Sequence, residues 1–394
     1  MESVSQYDWR KLEATAEHPV WVRDDEELAR LCIYWQTLSM VALDTEFQRV
    51  ETFYPIPGLI QLADDRQCYL IDPLSIDNFE PLAELFANER VLKVLHAATE
   101  DIELFHKSLG QLPRPVYDTQ MAAAFVGWGF SMGLQRMLQH ALDVEMEKEE
   151  TTSDWLQRPL TAGQERYAAL DVAYLPAICQ MQQQILQQKG IADWVIQEGE
   201  GLLHQSIDTD PEGLGYYRRF TQMWRLPEEK LAALRDLTAW RERTCRERDV
   251  PRNRILRNQA LLDIVDRWPR SLSELSRVPE LKRRAIRVDG PVILEILQGA
   301  AQSAADNPPQ RIEKPLHFGW NQHLKKLKAM VRERAEELDI APEVLLRKKE
   351  LDALIRTGCD TGNYRLPDEM VPWRREVIGE KLLAELNKIG IAKQ

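Results

Sequence analysis

The sequence contains no apolar run approaching the ~20 residues that a membrane-spanning helix needs. Its N-terminus, MESVSQYDWRKLEATAEHPV, has no apolar core for a signal peptide and is dotted with acids, so neither an export nor a transit segment is expected. Cysteine is scarce and badly placed for cross-linking: Cys32, Cys68, Cys179, Cys245 and Cys359 are odd in number, far apart and form no CxxC pair. That excludes a thiol-based zinc module and a disulfide framework, and it suits free thiols in a reducing compartment. The seven histidines are scattered. A soluble cytoplasmic chain with no membrane association and no obligate protein partner is the expectation.

What is present is ordinary globular material: 394 residues, 44% hydrophobic and 29% charged. At roughly 150 residues per domain this suggests two or three domains. The net charge of -12 hides an asymmetry, because residues 1–200 hold 15 Lys and Arg against 33 Asp and Glu, whereas residues 201–394 hold 36 against 30. An acidic half can gather carboxylates around cations, and a basic half is a candidate for phosphate contact.

The first 200 residues alternate between strand and helix patterns. VALDTEF (41–47), LIQLA (59–63) and CYLID (68–72) read as a three-stranded meander, and VLKVLHA (91–97) as a fourth strand. Helices are expected over 78–90, 100–109 and 132–142, and after a turn at Pro115–Asp118. Another should start at Thr161, where Gln164 offers a capping box, and should end or kink at Pro176. Beyond about 228 the pattern is helical only, and it repeats at an offset of 90 residues. Leu237 aligns with Leu327, Asp249 with Asp339, Ile255-Leu256-Arg257 with Leu345-Leu346-Arg347, and Leu261 with Leu351. Two copies of a small helical domain are implied. The expected boundaries are a first domain over 1–205, a linker over 206–228, helical domains over 229–303 and 317–394, and a second linker over 304–316.

Chemistry is suggested by acids. Asp44 and Glu46 share one face of a strand, because side chains alternate along it. Asp101 stands where a strand gives way to a helix. Tyr167 and Asp171 lie four apart on a helix, hence side by side. Carboxylates converging without His or Cys suit hard divalent ions such as magnesium or manganese. Two such ions about 3.5–4 Å apart support phosphodiester cleavage. A neutral tyrosine, of reference pKa about 10, is a poor base at neutral pH but can hold an attacking water in line.

These residues resemble the motifs of the DEDD superfamily of 3′-5′ exonucleases in its tyrosine-bearing branch, most closely the ribonuclease D family. The D-x-E motif is Asp44-Thr45-Glu46, the second acid is Asp101 in LHAATEDIELF, and Y-x-x-x-D is Tyr167 and Asp171 in ERYAALDVAYLPAI. YPIPGLIQLA, YDTQMAAAF and SDWLQRPL are similar as well, and the helical repeats resemble paired HRDC domains. The second repeat departs from the first where Pro251 meets Ala341, with a proline one place later at Pro342.

The resemblance implies an α/β ribonuclease-H-like exonuclease domain followed by two all-α HRDC-like domains. It implies two metal ions, with Asp44 bridging them, Glu46 and Asp171 completing one site, and Asp101 serving the other. Tyr167 would position the nucleophilic water. The backbone at Thr45 would face the terminal sugar and Phe47 a base, although strand alternation equally allows Phe47 to be buried on the opposite face. The implied substrate is RNA, trimmed from its 3′ end to nucleoside 5′-monophosphates, with precursor tRNA as the biological target. A DNA-directed exonuclease and a catalytically inactive nucleic-acid-binding scaffold stand as alternatives.

Two further features are open to more than one reading. His96 could bind phosphate or pack in the core. Residues 235–290 carry 15 basic residues against nine acids, which could contact phosphates or form a solvated face.

Overall fold

A computed structural model describes residues 7–146, 153–207 and 210–389. The chain divides into two compact units, one of residues 1–48, 57–207 and 317–394, the other of 49–56 and 208–316. The stretch 206–228, read as a linker that packs on a neighbour, and the stretch 304–316 both contribute side chains to a core. Tyr217 and Phe220 from the first, and Ile312 from the second, are buried in the core of the second unit with Leu231, Leu234 and Leu237. The Tyr217 hydroxyl also donates to the Gln310 carbonyl at 2.6 Å. Aromatic side chains in a polar stretch supply core that the sequence pattern does not show.

The first unit is built on a six-stranded mixed sheet. Its strands are β1 (Val20–Val22), β2 (Met40–Gln48), β3 (Ile56–Ala63), β4 (Cys68–Ile71), β5 (Leu92–Leu95) and β6 (Val116–Asp118), in the order β1-β4-β3-β2-β5-β6. β3 and β4 are antiparallel, and β5 lies parallel to both β2 and β6. The expected meander is therefore the middle of a wider sheet. The turn expected at Pro115–Asp118 is in fact the edge strand β6, and β1 is a strand that the pattern does not announce. Both have only three residues, too few to display a period of two.

On β2, Val41 and Leu43 bury into the main core, and Phe47 packs on it from the same side. Asp44 and Glu46 take the other face, as alternation requires. The helix Thr99–Leu109 follows β5 and carries Asp101 in its first turn. The helix Ala162–Ala173 starts with the Thr161–Gln164 capping box and stops before Pro176, where a second helix, Leu175–Lys189, begins. The Pro lies in that helix's first turn, where its missing N–H costs nothing.

The 90-residue repeat is real in three dimensions. Helices Glu228–Glu247, Arg252–Ile255 and Asn258–Arg267 correspond to Trp320–Leu338, Pro342–Leu345 and Lys348–Arg356. Asp249 and Asp339 both adopt left-handed backbone, at φ 45° and 50°. Each uses its carboxylate to grip another segment of its own unit. Asp249 accepts the N–H groups of Phe53 and Tyr54 at 3.0 and 3.1 Å, and Asp339 pairs with Lys189 at 2.8 Å.

The second copy is docked on the sheet domain. Trp373 stacks on Trp194 with ring centroids 4.5 Å apart. The buried Arg374 reaches Glu198 at 2.9 Å and donates to the carbonyls of Val344 and Leu345. The shifted proline has its reason here as well. The backbone N–H of Ala341 donates to the Ala124 carbonyl at 2.8 Å, and a proline at 341 would have no N–H to give.

Candidate active site

Strand β2 delivers Asp44 and Glu46, and the helix Ala162–Ala173 delivers Asp171. One carboxylate oxygen from each falls within 4.8 Å of the other two. Asp101 joins them: the Thr45 hydroxyl donates to its Oδ1 at 2.5 Å, and its charge is felt at Asp44, Glu46 and Asp171. Tyr167 hydrogen-bonds to Asp171, and its ring lies 6.3 Å from that of the buried Trp155. Three distant stretches of chain thus meet in one cleft.

Each acid resists ionisation there. Burial, then repulsion from the neighbouring carboxylates, pushes Glu46 up to about 8 and raises Asp44 well above the usual range. Burial raises Asp171 to about 7 and Asp101 to about 6, against the hydrogen bonds from Tyr167 and Thr45 that favour the charged forms. Tyr167 is pushed up too, by burial and by Asp171, Glu46 and Asp44, so it stays neutral at any physiological pH. Three oxygen-donor acids held this close, with Asp101 near enough to act on their charge and no nitrogen or sulfur donor in the group among the described residues, fit a hard divalent cation.

A stability prediction follows from these directions. Folded-state values above the unfolded ones mean that the native state binds more protons between about pH 4 and pH 8. This contribution is fully present below about pH 4 and is lost as pH rises through 6 to 8. Melting in EDTA should therefore show stability falling over that window, and magnesium or manganese should restore it most at the alkaline end. A metal effect independent of pH would contradict the clustering.

The other expected residues are placed as follows. Thr45 is buried with its hydroxyl committed to Asp101. Phe47 is half-buried against the core, as the alternation reading has it. His96 is half-buried and bonded through Nδ1 to Thr119 at 3.0 Å, with burial lowering its proton affinity. These contacts favour a packing role for it.

Two supports of the site lie outside the five motif residues, although within the similar stretches YDTQMAAAF and SDWLQRPL. The buried Asp118 carboxylate accepts the N–H groups of Ala97 and Ala98 at 3.1 Å each, and of Gln120 and Met121 at 2.8 and 3.2 Å. It therefore caps the helix Thr119–Phe125 while holding the turn, left-handed at Ala97 (φ 57°), from which the Asp101 helix springs. Sequence similarity marks the stretch that holds Asp118 but gives the residue no role; an Asp before an apolar helix is the signal for its capping.

The second support is Arg158, which clasps Asp72 with two hydrogen bonds of 2.9 and 2.6 Å and donates to the Gly58 carbonyl at 2.7 Å. Burial would raise Asp72, but the Arg158 bonds and charge, together with bonds from the Leu74 N–H and the Ser75 hydroxyl, hold the carboxyl below its ordinary range. A side chain at Gly58 would meet the Trp155 backbone at 2.8 Å, so this loop docks on the sheet only over glycine. The clasp fixes the loop that enters the Tyr167 helix.

The 3′-5′ exonuclease family profile matches residues 19–187, and the HRDC domain profile matches 230–297. Ribonuclease D of Pseudomonas paraeruginosa is 42% identical over 94% of this chain and 98% of its own length. The chain belongs to the ribonuclease D family of 3′-5′ exoribonucleases. Ribonuclease D of Escherichia coli is 33% identical over 92% of this chain and 96% of its own. The crystal structure of E. coli RNase D, described as an exoribonuclease involved in structured RNA processing, superimposes with a TM-score of 0.86 over 94% of this chain and 99% of that one. This membership favours RNA over DNA as the polymer. No helix among the described residues is long and apolar enough to cross a membrane.

Proposed function

We propose that Asp44, Glu46, Asp101 and Asp171 hold two divalent ions, magnesium or manganese, and that the enzyme uses them to release nucleoside 5′-monophosphates from the 3′ ends of precursor tRNA. The observation that carries this is the convergence of Asp44, Glu46 and Asp171 within 4.8 Å, each with raised proton affinity. Bound ions would supply an activated water and offset charge on the leaving oxygen. Asp44, central to the mutual repulsion, is the carboxylate best placed to be shared. Thr45 aims the Asp101 carboxylate by occupying one of its oxygens. That all five motif side chains are assembled supports an active rather than a degenerate site. The four buried free thiols fit a reducing cytoplasm.

Tyr167, neutral and anchored to Asp171, can orient the attacking water but not deprotonate it. Tyr167→Phe should lower kcat about 100-fold, the scale expected when a reacting group is no longer held in line, while KM changes by less than about threefold. An unchanged kcat would reduce Tyr167 to a packing residue beside Trp155.

The whole reading is tested by the product ladder from a 5′-labelled structured RNA with a short single-stranded 3′ tail. Stepwise shortening from the 3′ end with mononucleotide release is expected. Internal cuts, or equal action on the matching DNA, would overturn it.

A further inference from the structure

The second helical module, which lies outside the residues 230–297 matched by the HRDC profile, carries a groove unlike the acidic cleft. Its cavity of about 410 Å³ is walled by Lys328, Arg332, Arg347 and Lys348, with Glu343 as the one acid in its lining. All four cations are exposed, and none has an ion-pair partner among the described residues. Val331 and Leu346 give the groove an apolar floor. One lip is Phe130, from the sheet domain, which lines the groove and leaves 47% of its surface in solvent.

The lip is held in place. The Phe130 loop turns on left-handed backbone at Gly127, Gly129 and Ser131. A side chain at Gly127 would come within 3.1 Å of the Asp339 carbonyl, so the loop seats on that turn only through glycine. The same turn is tied down by the Lys189–Asp339 pair and by the Ala341–Ala124 hydrogen bond, both within one compact unit. An exposed aromatic ring and four cations without ion-pair partners among the described residues, lining one groove with an apolar floor and a single acid, are the combination that single-stranded nucleic acid demands. Bases stack on the ring while phosphates take the charges.

We propose that this groove binds a single-stranded segment of the RNA substrate, with Phe130 stacking on a base and Arg332, Arg347, Lys328 and Lys348 holding the phosphates. The proposal rests on RNA being the substrate but not on the carboxylate assignments. It gives the second repeat a binding role of its own, despite its departure from the first.

The test is fluorescence anisotropy in EDTA, with catalysis off, using a 5′-labelled single-stranded RNA of about 12 nucleotides. Arg332→Glu combined with Arg347→Glu should raise Kd by at least about 30-fold at moderate salt. It should also flatten the slope of log affinity against log salt by about 1.4, or about 0.7 for each phosphate no longer neutralised. Phe130→Ala should raise Kd about 10-fold with the salt slope unchanged, since it removes stacking and no charge. Magnesium-dependent hydrolysis of a trinucleotide should stay within about twofold of the parent in both variants, and that turnover also verifies folding.

Unchanged affinity and slope would overturn the proposal. An equal loss on the trinucleotide would also overturn it, by assigning these residues to the catalytic cleft. So would competition by poly-glutamate as effective as by unlabelled RNA, which would make the occupant an acidic protein.

Discussion

Asp44→Asn should abolish hydrolysis and leave the fold intact. Asp44 lies among Asp101, Asp171 and Glu46; burial raises the proton affinity of each, and neighbouring carboxylates of the cluster add to it at Asp44, Glu46 and Asp171. Such a cluster is stable only with protons or cations between the charges. Asparagine keeps the shape of the side chain but removes one negative charge and one strong oxygen donor. The expected loss of turnover is at least about a thousandfold, or about 4 kcal/mol of transition-state stabilisation. In EDTA near pH 8 the variant should melt higher than the parent, because repulsion inside the cleft is relieved, and added magnesium should stabilise it less. Retained turnover would remove Asp44 from the chemistry.

The second large effect is expected away from the reacting groups. Asp118→Ala leaves four backbone N–H groups without their acceptor, two of them in the first turn of a helix and two in the turn before the Asp101 helix. Lost caps and buried unsatisfied donors together should cost about 3 kcal/mol or more of stability. kcat should fall with it, since the left-handed turn at Ala97 loses the carboxylate that holds it. Asp118→Asn is the informative partner. Its oxygen can still take the three bonds made by Oδ1, from Ala97, Gln120 and Met121, and only the bond from Ala98 to Oδ2 is removed. Urea denaturation should rank the parent above Asn and Asn above Ala, with kcat in the same order. An Ala variant as stable and active as the parent would make the four bonds incidental.

The parts of the site that are legible in the sequence are those set by local periodicity. Asp44 and Glu46 share a strand face, Tyr167 and Asp171 share a helix face, and Thr161 with Gln164 announces where that helix begins. Such patterns need only neighbouring residues. What is not legible depends on pairs distant in sequence: Arg158 with Asp72, Asp118 with Ala97, Trp373 with Trp194, and Lys189 with Asp339. No spacing rule connects these, since each exists only once the sheet order and the docking of the second repeat are known. The aromatic-rich stretch 216–224 reads as a connector because its core residues follow no helical or strand period, and the three-residue strands are too short to show one. The basic stretch 235–290 is partly internal. Arg241 is buried and bonds to the Leu256 carbonyl, and Arg252 clasps the buried Glu242.

The most direct measurement is anomalous diffraction from crystals grown or soaked with manganese under conditions where the enzyme turns over. Two manganese peaks are expected in the cleft, both within ordinary oxygen-to-metal distance, about 2.0–2.6 Å, of Asp44. One should also touch Glu46 and Asp171, and at least one peak should vanish in Asp44→Asn. An active crystal form with no peak beside these carboxylates, or with its manganese bound elsewhere, would contradict the assignment of the four acids as the seat of hydrolysis.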